Sequence, residues 1–319
     1  MIHVLVTGGS GMVGKCMQDF LEFNEPSQIY HFISSQDYDL TDPLQVEECF
    51  KERKYDSIIH LAAVVGGLYE NMNNNCEMLI KNNKINMNIL EACHKYNVKR
   101  GIFCLSSCIY PKNPSKFPMT EEQLCESEPH DSNEGYAYAK RMLYIMCKHY
   151  NKQYGREYIC VSPVNLYGFY DNFNIKSGHV IPGLINRMYK TKNCISPYDN
   201  KVFEVYGSGE ALRQFLFAPD FVYIILQLLN NESIKDGLYN ICSDKEYKIK
   251  DVVHILSKLF EFDDSLIKYN TNYSDGIIKK TVSNSKLMKT MPYFKYVSLE
   301  KGLQYTYEWF MDHVNDIRQ

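Results

Sequence analysis

The stretch "HVLVTGGSGMVG", residues 3–14, decides how the rest of the chain is read. It opens on a short apolar run, strand-like by its length and its β-branched valines. Gly8, Gly11 and Gly14 follow at once, and a helical pattern starts on top of them over residues 12–23. Glycines at such a junction allow a tight turn and a close approach of backbone to a pyrophosphate. The helix N-terminus then offers N–H groups and the positive end of its dipole to the phosphates. A glycine triplet alone is a weak signal, since an ordinary glycine-rich turn looks the same. Here it is flanked by a strand and a helix. The spacing is Gly-x-x-Gly-x-x-Gly with Thr7 before it, tighter at the front than the Gly-x-Gly-x-x-Gly fingerprint.

Outward from that turn the chain alternates. Strand-like runs stand at 29–33 ("IYHFI"), 57–63 ("SIIHLAA"), 101–106 ("GIFCLS") and 157–163 ("EYICVSP"). Helical patterns cover about 43–53, 75–96 and 134–153. Strands alternating with helices predict βαβ units and an α/β fold, a Rossmann-type doubly wound parallel sheet. Past Pro163 the pattern loosens, then a helical "DFVYIILQLLN" (220–230) and a strand-like "GLYNIC" (237–242) point back to the sheet. The expected organisation is therefore a dinucleotide domain over residues 1–165 with a return segment at about 206–244. A smaller C-terminal α+β substrate domain is expected from 166–205 and 245–319.

Composition narrows the class. The 319 residues are 45% hydrophobic and 23% charged with a net charge of −3, ordinary for a globular chain and unlike a basic nucleic-acid footprint. No apolar run is long enough to span a bilayer, and the first residues already read as a strand without a leader. Eleven cysteines follow no disulfide framework and no metal-ligand spacing, so no metal is expected. Reduced thiols and a cytoplasmic location are the simplest account.

Cofactor type turns on the end of the second strand, "HFISSQ". An acid there binds a ribose 2′-hydroxyl and repels a 2′-phosphate. Ser34 and Ser35 are neutral donors and the first acid is Asp37, which favours NADP(H). A second pattern lies in "EGYAYAKRM". Tyr136 and Lys140, four apart, share one helix face. An ammonium beside a phenol is expected to lower its pKa and suit it to proton transfer at a carbonyl. Among 26 tyrosines such spacing also arises by chance. Ser106 strengthens it by sitting at the carboxyl end of a parallel strand, where open α/β sheets bind ligands, although a serine there can equally cap a turn.

Together Thr7-Gly8-x-x-Gly11-x-x-Gly14, "HLAA" (60–63), Ser106 and Tyr136-x-x-x-Lys140 resemble the extended short-chain dehydrogenase/reductases that act on nucleotide sugars. Within these, "AAVVGG" (62–67), "SSCIYP" (106–111), "GYAYAKRM" (135–142), "NLYGFYDNFN" (165–174), "GHVIPGLI" (178–185) and "SDGIIKK" (274–280) are similar to the GDP-L-fucose synthase family. That resemblance implies C3/C5 epimerisation of GDP-4-keto-6-deoxy-D-mannose, then reduction at C4 with NADPH, in a homodimer. It implies reductase roles for Ser106, Tyr136 and Lys140, and epimerase base and acid roles for Cys108 and His179. Cofactor contacts are implied at Gly8, Ser10, Gly11, Met12, Val13 and Gly14, at Ser34 and Ser35, at Leu61, Ala62 and Ala63, and at Pro163, Asn165 and Leu166, with Tyr136, Lys140 and His179. Asn165, Arg187, Arg213 and Lys280 are implied as nucleotide-sugar contacts. The chain departs from the family at Ile278-Lys279, where many relatives carry Pro-Arg, and at Tyr206, often Trp.

The chemistry can also be argued from residue types. Inverting carbons beside a carbonyl needs a base on one face and an acid on the other, with the enolate stabilised between them. A thiol with positive charge nearby can be that base, and histidine titrates near neutrality. In extended backbone Cys108 faces the same side as Ser106, an alignment that a turn there would change. Read alone, Cys108 could be a core thiol and His179 a capping residue. Another nucleotide-sugar 4-epimerase or reductase of the same fold remains the alternative. A 4,6-dehydratase would want Asp-Glu where Ser107-Cys108 stands, and a non-catalytic cofactor sensor would not need these groups together.

Overall fold

The computed structural model describes residues 1–66, 68–175, 177–193 and 202–317. Gly67 of the quoted "AAVVGG" and residues 194–201 of the expected substrate domain lie outside them.

The first half runs β1 (His3–Thr7), α1 (Met12–Asn24), β2 (Ile29–Ile33), α2 (Pro43–Glu52), β3 (Ser57–His60), α3 (Leu68–Asn73), α4 (Asn75–Lys95), β4 (Arg100–Cys104), α5 (Glu134–Tyr154) and β5 (Glu157–Pro163). The rest runs β6 (Asn165–Tyr167), α6 (Val180–Lys192), β7 (Phe203–Tyr206), β8 (Leu212–Arg213), β9 (Phe215–Phe217), α7 (Ala218–Asn230) and β10 (Gly237–Ile241). Then follow β11 (Tyr247–Lys248), α8 (Ile249–Leu259), β12 (Ile267–Asn270), β13 (Lys279–Lys280), α9 (Ser285–Thr290) and α10 (Leu299–His313).

Six strands form one sheet in the order β10-β5-β4-β3-β1-β2, every pair parallel. The doubly wound parallel sheet expected from the alternation is what forms. Its strands are near-continuous apolar runs because helices cover both faces: Val4, Leu5, Val6, Ile58, Ile59, Ile102 and Phe103 are all fully buried. Strand order reverses between β1 and β3, and that crevice at their carboxyl ends is where such sheets bind ligands. β3 and β4 stop at His60 and Cys104, short of the expected 63 and 106, because the chain there leaves the sheet to line the crevice.

A second apolar cluster gathers Leu184, Ile185 and Met188 of α6, Val252 and Leu256 of α8, Leu303 and Phe310 of α10, and Phe203 and Val205 of β7. Around it lie short sheets, β11-β8-β13, β12-β7 and β6-β9. The return to the first core begins later than residue 206: β7 and β8 pair within the second unit, and only from Leu216 do residues join the first cluster. α7 packs on α1, and β10 completes the sheet beside β5. Arg100 fastens this return, donating to the carbonyls of Leu228, Leu229, Asn231 and Ile234 while pairing with Glu157 at 2.7 Å. A second return was not anticipated. Val282 and Leu287 belong to the first core, and α9 packs on β10.

Candidate active site

The glycine turn is pressed between neighbours on all sides. Gly8 has φ +77°, and a Cβ on it would lie 3.0 Å from the Ala62 nitrogen. A Cβ on Gly14 would lie 2.6 Å from the Gly8 oxygen and 2.7 Å from the Gly9 Cα, so α1 seats directly on the turn. The Gly11 N–H closes the turn on the Gly8 carbonyl at 3.0 Å. Gly11 occupies the N-cap of α1, where no side chain caps the first-turn N–H groups and the first turn carries no acid, so Met12, Val13 and Gly14 present donors suited to an anion. One support was missed in the sequence. Thr7 Oγ1 lies 2.8 Å from His60 Nδ1 and accepts from the Ala62 N–H at 3.2 Å, tying β1 to the Leu61–Ala63 loop. Burial pushes His60 down to about 3, so it works as a neutral link. Only the letter His in "HLAA" hinted at it.

Ser34 is engaged by its own loop. Its N–H and hydroxyl both donate to Asp37, at 2.7 and 2.8 Å, and these bonds hold the Asp37 carboxyl below its usual range. The end of β2 is therefore not a pair of neutral donors alone: an acid three residues on has folded back onto one of them. The Ser-x-x-Asp spacing is a readable capping signature.

Beyond β4 the chain turns. Ser106 caps a 3₁₀ turn over Ser107–Ile109, its Oγ accepting from the Cys108 N–H at 3.3 Å. Of the two arrangements the sequence left open after Ser106, extended backbone or a turn, the turn forms, because that capping bond curls the chain. Arg141 secures the turn from α5, its Nε donating to the Ile109 carbonyl at 2.5 Å. Tyr136 and Lys140 sit one helical turn apart in α5, and the Lys140 Nζ lies 5.7 Å from the Tyr136 ring centre. Lys140 donates to the Cys104 carbonyl at 2.7 Å, on the strand end that leads to Ser106.

The expected lowering of Tyr136 is overturned. Burial first, then Cys108 and Cys104, push the phenol well above its usual value. Burial also pushes Lys140 down. Desolvation leads for both groups: Lys140 is buried and Tyr136 half-buried. Tyr136 therefore stands protonated, the state required of a donor. Burial likewise pushes the Cys108 thiol up, opposed chiefly by Lys280, then by the Ser106 bond and Lys140. Ser106, Cys108, Tyr136 and Lys140 are thus brought together.

His179 occupies the N-cap of α6. Arg187, two turns along, donates to the Glu204 carbonyl at 3.1 Å and lies 4.4 Å over the Tyr206 ring, which stacks on Tyr273. Arg213 donates to the carbonyls of Leu212 and Asp275 and stands in register with Lys280 across β8 and β13. Lys280 and Cys108 line one cleft. The Asn165 amide donates to the Gln214 carbonyl at 2.9 Å, tying β6, which pairs with β9, to the residue that follows Arg213. Pro163 ends β5 at the sheet's carboxyl edge, and Leu166 packs against the first core. Among the described residues no cluster of three or more potential metal ligands occurs and no helix is long and apolar enough to cross a membrane.

With this geometry in view, residues 4–242 match the NAD dependent epimerase/dehydratase family. The chain is 38% identical to a probable GDP-L-fucose synthase of Drosophila melanogaster, covering 100% of both chains. It is 30% identical to a GDP-L-colitose synthase of Yersinia pseudotuberculosis, covering 99% of this chain and 100% of that one. Among solved structures, a GDP-L-fucose synthetase from Naegleria fowleri bound to NADP superposes with a TM-score of 0.91 at 35% identity, covering 100% of this chain and 95% of that one.

Proposed function

The chain belongs to the NAD dependent epimerase/dehydratase family, and on that premise we propose that it is an NADPH-dependent enzyme converting GDP-4-keto-6-deoxy-D-mannose to GDP-L-fucose. Epimerisation at C3 and C5 comes first, and reduction at C4 follows. The observation that carries this reading is the thiol of Cys108 in the turn that Ser106 caps, beside Tyr136 and Lys140. A plain 4-epimerase has no use for a base there.

Cys108 takes the proton from the carbon beside the ketone, and the bond's electrons move onto the carbonyl oxygen. Ser106 and Tyr136 hold that oxygen as it gains charge. His179 returns a proton from the opposite face, completing inversion. NADPH, when bound at the glycine turn, supplies the hydride to C4. Tyr136, kept protonated by burial, then gives its proton to the C4 oxygen. Lys140, braced on the Cys104 carbonyl, stabilises the phenolate left behind. Arg187 and Arg213 hold the nucleotide-sugar phosphates, with Asn165 setting the β6 edge.

The test is proton NMR of the keto sugar in D₂O with NADP⁺ and no hydride source. Wild type exchanges the C3 and C5 protons, Cys108→Ser loses exchange, and His179→Gln loses completed inversion. Wild-type exchange in Cys108→Ser makes Cys108 a packing thiol and refutes the assignment. The similarity to a GDP-L-colitose synthase keeps a second reading, reduction of a related GDP-keto-deoxy sugar. Comparing turnover of the two keto sugars decides between them.

The same reading makes the protein a cytoplasmic homodimer. Ile80 and Met87 on α4, with Tyr138, Met142 and Ile145 on the adjoining α5, form an exposed apolar face for a second copy. Light scattering that gives a monomer mass refutes this. All ten cysteines in the described residues are free thiols, in keeping with a reducing compartment.

A further inference from the structure

Lys280, implied as a nucleotide-sugar contact, neighbours a second group of the site as well. β13 sets it beside Arg213 on β8, and it opens into the cleft that also receives Cys108. That cleft is lined by Lys112, Phe117, His130 and Lys279 as well, and by no carboxylate among the described residues. Its other ammonium groups are already matched. Lys112 pairs with Asp131 at 3.0 Å, and Lys279 with Glu246 at 3.0 Å. Among the described residues no ion pair involves Lys280. Lys280 is half-buried in that cleft, where pairing offsets the cost of desolvating its charge, and the thiol of Cys108 is the group that acts on its ammonium as an anion would.

We propose that Lys280 is the counter-ion of the Cys108 thiolate, an electrostatic positioning residue that makes the thiol a base and then holds the negative charge as it passes to the sugar. This rests on the reading of Cys108 as the base. Lys280 is the leading influence that favours the thiolate, and Cys108 in turn is the leading influence that favours the ammonium. The other groups facing the thiol are Lys140, Tyr136 and Arg141 of α5 and the Ser106 hydroxyl of its own turn; Arg213 faces Lys280. Tyr136 and Lys140 are engaged at the carbonyl side, and Arg141 is bound to the Ile109 carbonyl, which leaves Lys280 to carry the ion pair.

The step balances. The thiol first gives its proton to water, leaving thiolate beside ammonium. The thiolate then takes the sugar proton, and the C–H electron pair moves onto the ketone oxygen. Lys280 keeps its own proton throughout. Lys280 offsets part of the cost of the buried thiolate each time the neutral thiol gives up its proton to water, so the base can be restored for the second carbon.

The readout is the thiolate ultraviolet absorbance of the full chain against pH, with the Cys108→Ser counterpart of each protein subtracted so that the other thiols cancel. In Lys280→Met the midpoint should rise by at least one pH unit, an approximately tenfold loss of thiolate at neutral pH. In Lys280→Arg it should stay within about threefold of wild type, because the charge remains. Deuterium exchange at C3 and C5 should fall in proportion to the thiolate. Lys280→Gln replaces Lys280→Met if the latter does not fold. An unmoved midpoint in Lys280→Met or Lys280→Gln, or an equal rise in Lys280→Arg, overturns the proposal. Wild-type exchange in Cys108→Ser overturns the base assignment instead, and leaves the midpoint comparison standing as a separate result.

Discussion

Asp220 offers a stability change whose size can be worked out in advance. It sits in the first turn of α7, is 9% exposed, and accepts the Val297 N–H at 2.8 Å, tying the returning helix to the segment that leads into α10. Burial pushes its carboxyl from 3.8 up to about 6, against the lowering effect of that hydrogen bond. The folded chain therefore holds this proton more tightly than the unfolded chain. The resulting stability is fully present below pH 3.8 and lost as pH rises through about 6. At about 1.36 kcal/mol per pH unit the whole effect is about 3 kcal/mol, of which about 1.4 kcal/mol disappears between about pH 5 and pH 8. Asp220→Asn keeps an acceptor for Val297 but cannot ionise. Its stability relative to wild type should grow by about 1.4 kcal/mol between those two pH values. Urea denaturation of both proteins at each pH checks it, since acid effects elsewhere cancel in the difference. A stability gap that is the same at both pH values shows that Asp220 is not held unfavourably ionised, and refutes the reasoning.

Gly14→Ala should leave a soluble chain with a distorted turn, because the added methyl meets backbone at 2.6 Å. The strain is on the order of 1–3 kcal/mol, read as at least tenfold weaker NADPH binding in a fluorescence titration. Tyr136→Phe should keep NADPH affinity and lose about 10²-fold or more in kcat for reduction, measured by NADPH oxidation. Wild-type turnover in that variant would remove Tyr136 from the mechanism. NADPH should be preferred to NADH in kcat/KM, and Ser34→Asp, which sets a second carboxylate against Asp37, should shift preference towards NADH. Equal values for both cofactors in wild type would sink that expectation.

The sheet was legible because its strands carry long apolar runs and its first turn carries three glycines. β1, α1, β2 and β5 stand within a residue of where the pattern put them. In the second half the first return was legible, as the helical run at 220–230 and the strand run at 237–242 that became α7 and β10, and the rest was not. β8, β11 and β13 are two residues each, too short for any periodicity, and the second return at Val282–Leu287 has no run that announces it. At the site, residue types were readable and their ionisation was not. Whether an ammonium or burial governs Tyr136 depends on how deeply α5 is covered, which spacing cannot tell. The folding of Asp37 onto Ser34 is a local bond with a recognisable spacing, and the capping turn at Ser106 was one of two readings the sequence left open.

The placement of β10 has a consequence for synthesis. It pairs with β5, yet lies more than seventy residues later in the chain, after much of the second unit. A nascent chain that has left the ribosome only as far as Pro163 can align five strands but presents the N–H and C=O row of β5 as an open edge. The apolar side of α1 that α7 covers stays wet for the same interval. The Arg100 guanidinium meanwhile lacks the four carbonyls it will bind. The nucleotide-binding half is therefore not a portable module. A chain cut after residue 165 is expected to aggregate or be captured by a chaperone, and translation pauses before residue 241 would prolong the exposure of that edge.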